Sequence, residues 1–215
     1  MVKNTVLILV CLFTLLHSKA EAKVGFAFDF DQRFYLLKDV KQNIWGYRGG
    51  PYINQKFKCG IGVYYGNNTY FLKSNSLWAA DLDIYSDFNL QLKQLGFSIY
   101  AEPVFYKGKY SEWSVVSELA YFKNNYYILS GSKSNQHIKA TYIPAAVGIS
   151  SNLKFGDHFK SPVFRWFGIN IMAGYRFDIY ESETSLNMEG VHLSISSAIF
   201  LDKIWSDLKG WNKDK

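Results

Sequence analysis

Residues 166–180 alternate between two unlike sets of side chains, and this alternation constrains the chain more than any other feature. Phe167, Ile169, Ile171, Ala173, Tyr175, Phe177 and Ile179 make one set; Trp166, Gly168, Asn170, Met172, Gly174, Arg176 and Asp178 make the other. Successive side chains of a strand point to opposite faces, so a period of two specifies a strand and excludes a helix. One face is wholly apolar and aromatic. The other carries glycines, an amide and an Arg/Asp pair. The stretch exceeds the roughly five or six residues of an ordinary strand and suits the roughly nine to eleven that a tilted strand needs to cross a bilayer.

The same pattern recurs along the chain. Its apolar sets are Val24–Phe30, Phe57–Tyr65, Trp78–Ile84, Phe97–Phe105, Trp113–Tyr121, Ile143–Ile149 and Val191–Leu201. In the third of these, Trp78, Ala80, Leu82 and Ile84 alternate with Ala79, Asp81, Asp83 and Tyr85. Turn-forming residues separate the stretches at Gly66-Asn67-Asn68, Lys107-Gly108-Lys109, Ser130-Gly131-Ser132 and Gly156-Asp157. Pro103 and Pro144 each remove a ladder donor and belong at a strand end or bulge. Residues 32–56 read as a long loop, or as a further strand pair with Phe34–Leu37 as one arm. The expected fold is therefore all-β: a single antiparallel up-and-down transmembrane barrel over residues 23–201, with about eight strands, or ten if the pair exists.

The ends of the chain differ from this. Lys3, the apolar run Val6–Leu16 and the small-x-small triplet Ala20-Glu21-Ala22 describe a signal peptide over residues 1–22, with cleavage after Ala22 and export. Cys11 lies inside the apolar run and follows Val10, which excludes a lipid-attachment site. Cys59 is then the remaining cysteine, alternating with Phe57 and Ile61, so no internal disulfide holds the fold. In the tail, residues 202–215, Ile204, Trp205, Leu208 and Trp211 fall at helical spacing, as in a short surface helix or a frayed terminus. The formal net charge is +6, but the positive residues are scattered, which argues against nucleic acid as a partner.

Alternation alone does not say which face meets lipid. A secreted lipocalin-like barrel would hold the apolar set inside around an apolar ligand; a membrane barrel holds it outside. Mid-strand glycines on the polar set favour the second reading, because the bore of a narrow eight-stranded barrel needs small residues. Aromatics near strand ends favour it too, at the level of the interfacial girdles: Tyr65, Trp78, Phe105, Trp113, Tyr121 and Phe177. The polar sets then form an interior network of Lys58, Asp81, Asp83, Glu102, Glu118, Arg176, Asp178 and His192. Lone ions in such a bore are costly, so Arg176 and Lys58 are expected to pair with the carboxylates and to plug it.

Three segments carry a resemblance: Tyr142–Gly148, the strand containing Gly174-Tyr175-Arg176-Phe177, and Val191–Phe200. With the leader, they resemble the small outer-membrane β-barrel proteins common in Bacteroidota-type bacteria. That resemblance implies an integral barrel of a Gram-negative outer membrane without enzymatic activity. The chain departs from the usual pattern at its end, where residues 201–215 follow Phe200 in place of a terminal aromatic.

One constellation bears on catalysis. His192 and Ser194 share the polar face of the last strand and, with Glu102 or Glu118, could make a hydrolase constellation of a lipid-modifying enzyme. Known enzymes of that kind turn their triad toward lipid, and an inward hydrogen-bonded histidine is the simpler reading. Asp81 and Asp83 lack a calcium loop, and His137, His158 and His192 are too dispersed to hold a metal. Tyr126–Leu129 reads as an aromatic loop capping the barrel mouth. The expectation is a monomeric barrel with lipid as its partner, no cofactor, and a structural or binding role.

Overall fold

The computed structural model describes residues 24–37, 40–81, 86–129, 136–156, 164, 166–182, 188–201, 204, 205, 207 and 208. The expected signal peptide, the turn at Ser130-Gly131-Ser132, Asp83, Asp157, His158 and Trp211 lie outside the described residues. Eight strands follow one another as β1 (Val24–Leu37), β2 (Lys41–Ile53), β3 (Phe57–Leu72), β4 (Phe88–Lys107), β5 (Ser111–Leu129), β6 (Gln136–Lys154), β7 (Phe167–Glu181) and β8 (Gly190–Phe200). Each pairs antiparallel with the next, and β8 pairs back onto β1 from Ala27↔Phe200 to Leu37↔Gly190, closing the barrel. Both described ends of the barrel chain, Val24 and Phe200, lie at one rim, here the terminal rim; the opposite one is the distal rim.

The strand count agrees with the expected eight, but its members differ. Of the two readings of residues 32–56, the strand pair with Phe34–Leu37 in one arm holds: residues 32–37 complete β1, and Lys41–Ile53 form β2, which pairs with it. The first half of the alternation at Trp78–Ile84 is not a strand, and residues 82–84 lie outside the described residues. That half lies in a short helix, α1 (Leu77–Asp81), in the β3–β4 connection at the distal rim. Ser76 starts this helix, accepting a hydrogen bond from the Ala79 amide on Oγ at 3.1 Å and one from the Ala80 amide on its carbonyl at 3.2 Å. Trp78 and its neighbour Ala79 are both buried, which a strand with one face outward cannot achieve. Asp81 therefore ends a helix and is not on the barrel wall, and Trp78 belongs to no girdle.

Two expected turns also move. Gly66-Asn67-Asn68 lies inside β3, where Gly66 pairs with Gln94. The β2–β3 turn is instead at Asn54 and Gln55, with φ of 51° and 56°, closed by the Lys56 amide donating to the Ile53 carbonyl at 3.0 Å. Two consecutive positive φ values make the tight turn whose twist matches that of the flanking strands. Tyr126–Leu129 is the end of β5 and not a loop. The prolines sit where missing donors are tolerated: the register shifts at Ile143/Pro144, and again at Val104/Tyr106 beside Pro103.

Exposure settles which face is apolar outward. Ile61, Phe97 and Ile99 are 67%, 54% and 60% exposed, whereas Asp31, Arg33 and Glu102 are at most 1% exposed. A water-soluble barrel would invert this, so a lipocalin-like reading does not fit. An outward apolar belt around a closed sheet is what a bilayer requires, since no backbone group is left without a partner. Toward the distal rim the polarity of the two faces reverses within single strands while the alternation continues in phase. On β4 the outward residues change from Ile99, Phe97 and Leu95 to Lys93, Gln91 and Asn89, while the inward ones become Leu92, Leu90 and Phe88. The strands thus continue out of the hydrocarbon, with water outside and an apolar core inside. That core joins Leu90, Leu92, Phe122, Tyr126 and Ile128 to Trp78 of α1.

The mid-strand glycines have a specific use. Gly46 pairs with Tyr64, Gly96 with Phe122 and Gly174 with His192, and in each case the ring lies where a Cβ on the glycine would stand. An inward ring folded over a glycine of the next strand fills the bore without spreading the wall. Beyond β8, Leu201, Ile204, Trp205, Asp207 and Leu208 are helical, and the Trp166 indole donates to Asp207 at 2.8 Å. Leu201, Trp205 and Leu208 are exposed.

Gly96→Val is expected to destabilise the barrel by about 1–3 kcal/mol, because a branched Cβ displaces the Phe122 ring. Urea unfolding of the protein in detergent, followed by tryptophan fluorescence, measures this. A loss no larger than that of an outward Ser117→Val control would remove the ring-over-glycine account.

Candidate functional site

The bore of the barrel holds the concentration of ionisable groups that any function must be weighed against. Strand alternation puts them there. The inward positions of β1 are Asp29, Asp31, Arg33 and Tyr35, and those of β2–β5 add Arg48, Lys58, Tyr64, Glu102, Glu112 and Glu118. Near the terminal rim, Lys58 Nζ lies 2.6 Å from Glu112 and 3.4 Å from Glu102. Arg48 lies 2.9 Å from Asp29 and 3.5 Å from Glu102. Lys154 reaches Glu112 at 3.3 Å, and Ser114 Oγ donates to Glu102 at 2.6 Å.

At mid-height, Arg33 grips Glu118 with both terminal nitrogens, at 2.7 and 2.8 Å, and donates through Nε to Asp31 at 2.7 Å. Its guanidinium also lies 4.2 Å from the Tyr64 ring centre and bonds the Tyr64 hydroxyl. Ser194 bonds Asp31 from β8. Planar two-point contacts of this kind are the strong form of the ion pair and fix geometry as well as charge.

Toward the distal rim the chemistry changes. Arg176 stacks 3.8 Å from the Tyr35 ring centre and donates to the Met188 carbonyl from Nε and Nη2 at 2.9 and 2.6 Å. Its Nη1 donates to the Tyr142 hydroxyl at 3.2 Å. Above it, Gln94, Asn124 and Tyr126 form a hydrogen-bonded chain, and then the apolar core with Trp78 begins.

The expected site residues divide accordingly. Lys58, Glu102, Glu118, Arg176 and His192 are buried in the bore, with Lys58 paired to carboxylates. Arg176 differs from the expectation in its direct contacts: among the described residues these are a backbone carbonyl, a phenol hydroxyl and ring faces, while Asp178, two residues on, accepts from the Met188 amide at 3.1 Å and attracts Arg176 without a direct ion pair. Asp81 is on α1, and Asp83 lies outside the described residues. His192 packs 5.5 Å from the Tyr35 ring and Ser194 is committed to Asp31; no hydrogen bond joins His192 to Ser194 among the described residues. Sequence reasoning missed Asp29, Asp31, Arg33, Arg48 and Glu112 as network members. The signal was present for the first three, since the alternation of Asp29-x-Asp31 continues through Arg33 and Tyr35. It was masked on β2, where Gly49 and Pro51 interrupt the outward apolar set.

No family model and no curated protein matches the chain. Solved structures do. Neisserial surface protein A (NspA) is 11% identical, with a TM-score of 0.52 over 84% of this chain and 99% of that one. A major outer membrane protein from Thermus thermophilus is 9% identical, with a TM-score of 0.54 over 82% of this chain and 98% of that one. The N-terminal β-barrel domain of Pseudomonas aeruginosa OprF is 11% identical, with a TM-score of 0.48 over 84% of this chain and 99% of that one. The fold is that of small outer-membrane β-barrels.

Glu118→Leu takes the carboxylate from both terminal nitrogens of Arg33, leaving it the Nε contact with Asp31, and is expected to cost about 3–5 kcal/mol of unfolding free energy. The double variant Arg33→Met/Glu118→Leu is expected to lose at least about 1 kcal/mol less than the sum of the two single losses. Denaturant titration of all three variants gives the coupling; strict additivity would show that the pair is not an energetic unit.

Proposed function

We propose that the protein is an integral outer-membrane barrel of a Gram-negative bacterium, exported by residues 1–22, monomeric, with both termini in the periplasm. Its role is non-catalytic, as a structural element of the envelope or a binding surface. The bacterial setting is supported by the likeness of fold to NspA and the Thermus thermophilus outer membrane protein. The observation that carries the reading is the filling of the bore. Buried ion pairs occupy its terminal half, and Arg176, the amide chain and the Trp78 core occupy the rest. A barrel of eight strands has room for side chains and little else. The hydrolase reading is weakened because the hydroxyl of Ser194 bonds Asp31 and both it and His192 face the bore, away from lipid.

Four measurements test this. Fractionation is expected to place the protein with the outer membrane, and heating is expected to shift its gel migration. Reconstituted into planar bilayers, it is expected to show no steady ionic conductance, and Trp78→Ala is expected to remain closed because the ion lattice below is intact. Stable open channels from the unmodified protein would overturn the reading. A change in outer-membrane lipid profile caused by His192→Ala would restore the hydrolase.

A further inference from the structure

Beyond β8 the chain turns into helix at the level where the apolar belt ends. Leu201 is exposed and continues the outward parity of β8 after Ile199. Trp205 and Leu208 follow it at i+4 and i+7, so one face of the helix carries all three. Leu208 is exposed, and Trp205 keeps 63% of its surface open. Ile204 and Asp207, on the adjoining side, are half-buried. Asp207 accepts the hydrogen bond from the indole of Trp166, the residue before β7, at 2.8 Å. That bond ties one side of the helix to the barrel and leaves the apolar face on the other.

The position of this face says what covers it. Leu201 is the next outward residue after Ile199, which pairs with Phe28 of β1 and with Phe167, the first residue of β7. The helix therefore leaves the sheet at the terminal edge of the lipid-facing belt. Elsewhere that edge is marked by Tyr106 and Trp113 of β4 and β5, both exposed. The outward residues at the terminal ends of β7, β8 and β1 are Phe167, Ile199 and Val24, which bring no indole or phenol to it. Tryptophan and tyrosine concentrate at this depth because the ring is apolar while its N–H or O–H stays wet. Trp205 supplies such a ring on the side where the strands lack one. An amphipathic helix at this level lies in the plane of the interface, its apolar face sunk to the boundary of headgroups and acyl chains.

We propose that the helical residues beyond β8 form an interfacial anchor, with Leu201, Trp205 and Leu208 inserted among the lipids of the leaflet at the terminal rim. Lipid is the occupant because the face is continuous with the belt: on the outward side no polar side chain stands between Ile199 and Leu201. The Trp166–Asp207 hydrogen bond is the positioning contact, since it sets the rotation of the helix about its own axis and so the side that meets lipid. The inference rests on the membrane reading above and adds to the spanning strands a second lipid contact, parallel to the bilayer plane.

Fluorine NMR of the full chain, made with fluorotryptophan and folded into phosphatidylcholine nanodiscs, tests this. Trp205→Phe identifies the Trp205 resonance; Trp45, exposed on the belt, and Trp78, buried in the distal core, serve as references. A lipid carrying a nitroxide beside the acyl carbonyl is expected to attenuate Trp205 at least about threefold more than a water-soluble gadolinium chelate does, as for an indole at headgroup depth. Trp45 is expected to respond to the lipid nitroxide, and Trp78 to neither agent. The Leu201→Ser/Leu208→Ser variant is expected to keep its heat-shifted gel migration while Trp205 opens to the chelate. Attenuation of Trp205 by the chelate alone, with Trp45 still answering the lipid nitroxide, would overturn the anchor and leave the barrel reading intact. A Trp45 resonance untouched by the lipid nitroxide would overturn the barrel reading itself. Protection of Trp205 from both agents would put protein on this face in place of lipid and overturn the anchor as well. Should the serine variant not fold, the response of Trp205 in the unmodified sequence decides.

Discussion

The ladder between β1 and β8 is the contact on which the rest of the structure depends. A sheet in hydrocarbon cannot leave an edge, because an unpaired backbone amide or carbonyl has no water to turn to. Pairing from Ala27↔Phe200 to Leu37↔Gly190 removes both edges at once. Closure also creates an inside that lipid cannot reach. Every polar side chain on the inward face is then sealed in with its neighbours, and their charges have to be answered within the bore. The pairing of Arg33 with Asp31 and Glu118, and of Lys58 with Glu102 and Glu112, follows from that enclosure.

Enclosure imposes a volume limit as well as a charge limit. Large rings and long cations share a bore that eight strands make narrow. The wall yields space where it lacks a Cβ, so Tyr64, Phe122 and His192 each fold across a glycine of the adjacent strand. Rings placed in this way then serve the cations: Arg33 lies over Tyr64, and Arg176 over Tyr35. Glycine, ring and guanidinium form layers of one packing scheme, in which removing any layer leaves a void or an unanswered charge.

The sequence was most legible where one solvent meets one face for a whole stretch. β7 and β8, and the belt segments of β4 and β5, show an uninterrupted apolar outward set, and their orientation could be argued from glycine placement and aromatic ends. Legibility failed where the solvent changes within a strand. The distal part of β4, from Phe88 to Lys93, alternates as cleanly as the belt but with the apolar set turned inward, so it does not continue the belt pattern. The alternation at Trp78–Ile84 attracted the strand assignment in its place, although the Ser76 cap was visible beside it. In the bore, Lys58, Glu102 and Glu118 could be named from parity alone. Arg33 stood in phase with Asp29 and Asp31 and was readable in the same way, whereas Arg48 was not, because Gly49 and Pro51 break the period on β2, and no residue type announces a partner across the barrel. Which carboxylate meets which cation depends on register, and register is a property of the closed sheet.

The exchange of apolar and polar faces along the long strands has a mechanical consequence. Because Leu95 and Lys93 stand on the same face of β4, a shift of the barrel by a single two-residue step in the direction of its terminal rim would carry ammonium groups into oil. The opposite shift would lift belt residues such as Tyr121 and Phe97 into water. The molecule is therefore ratcheted to one depth, and a bilayer of the wrong thickness has to stretch or thin around it, since the barrel cannot slide to suit.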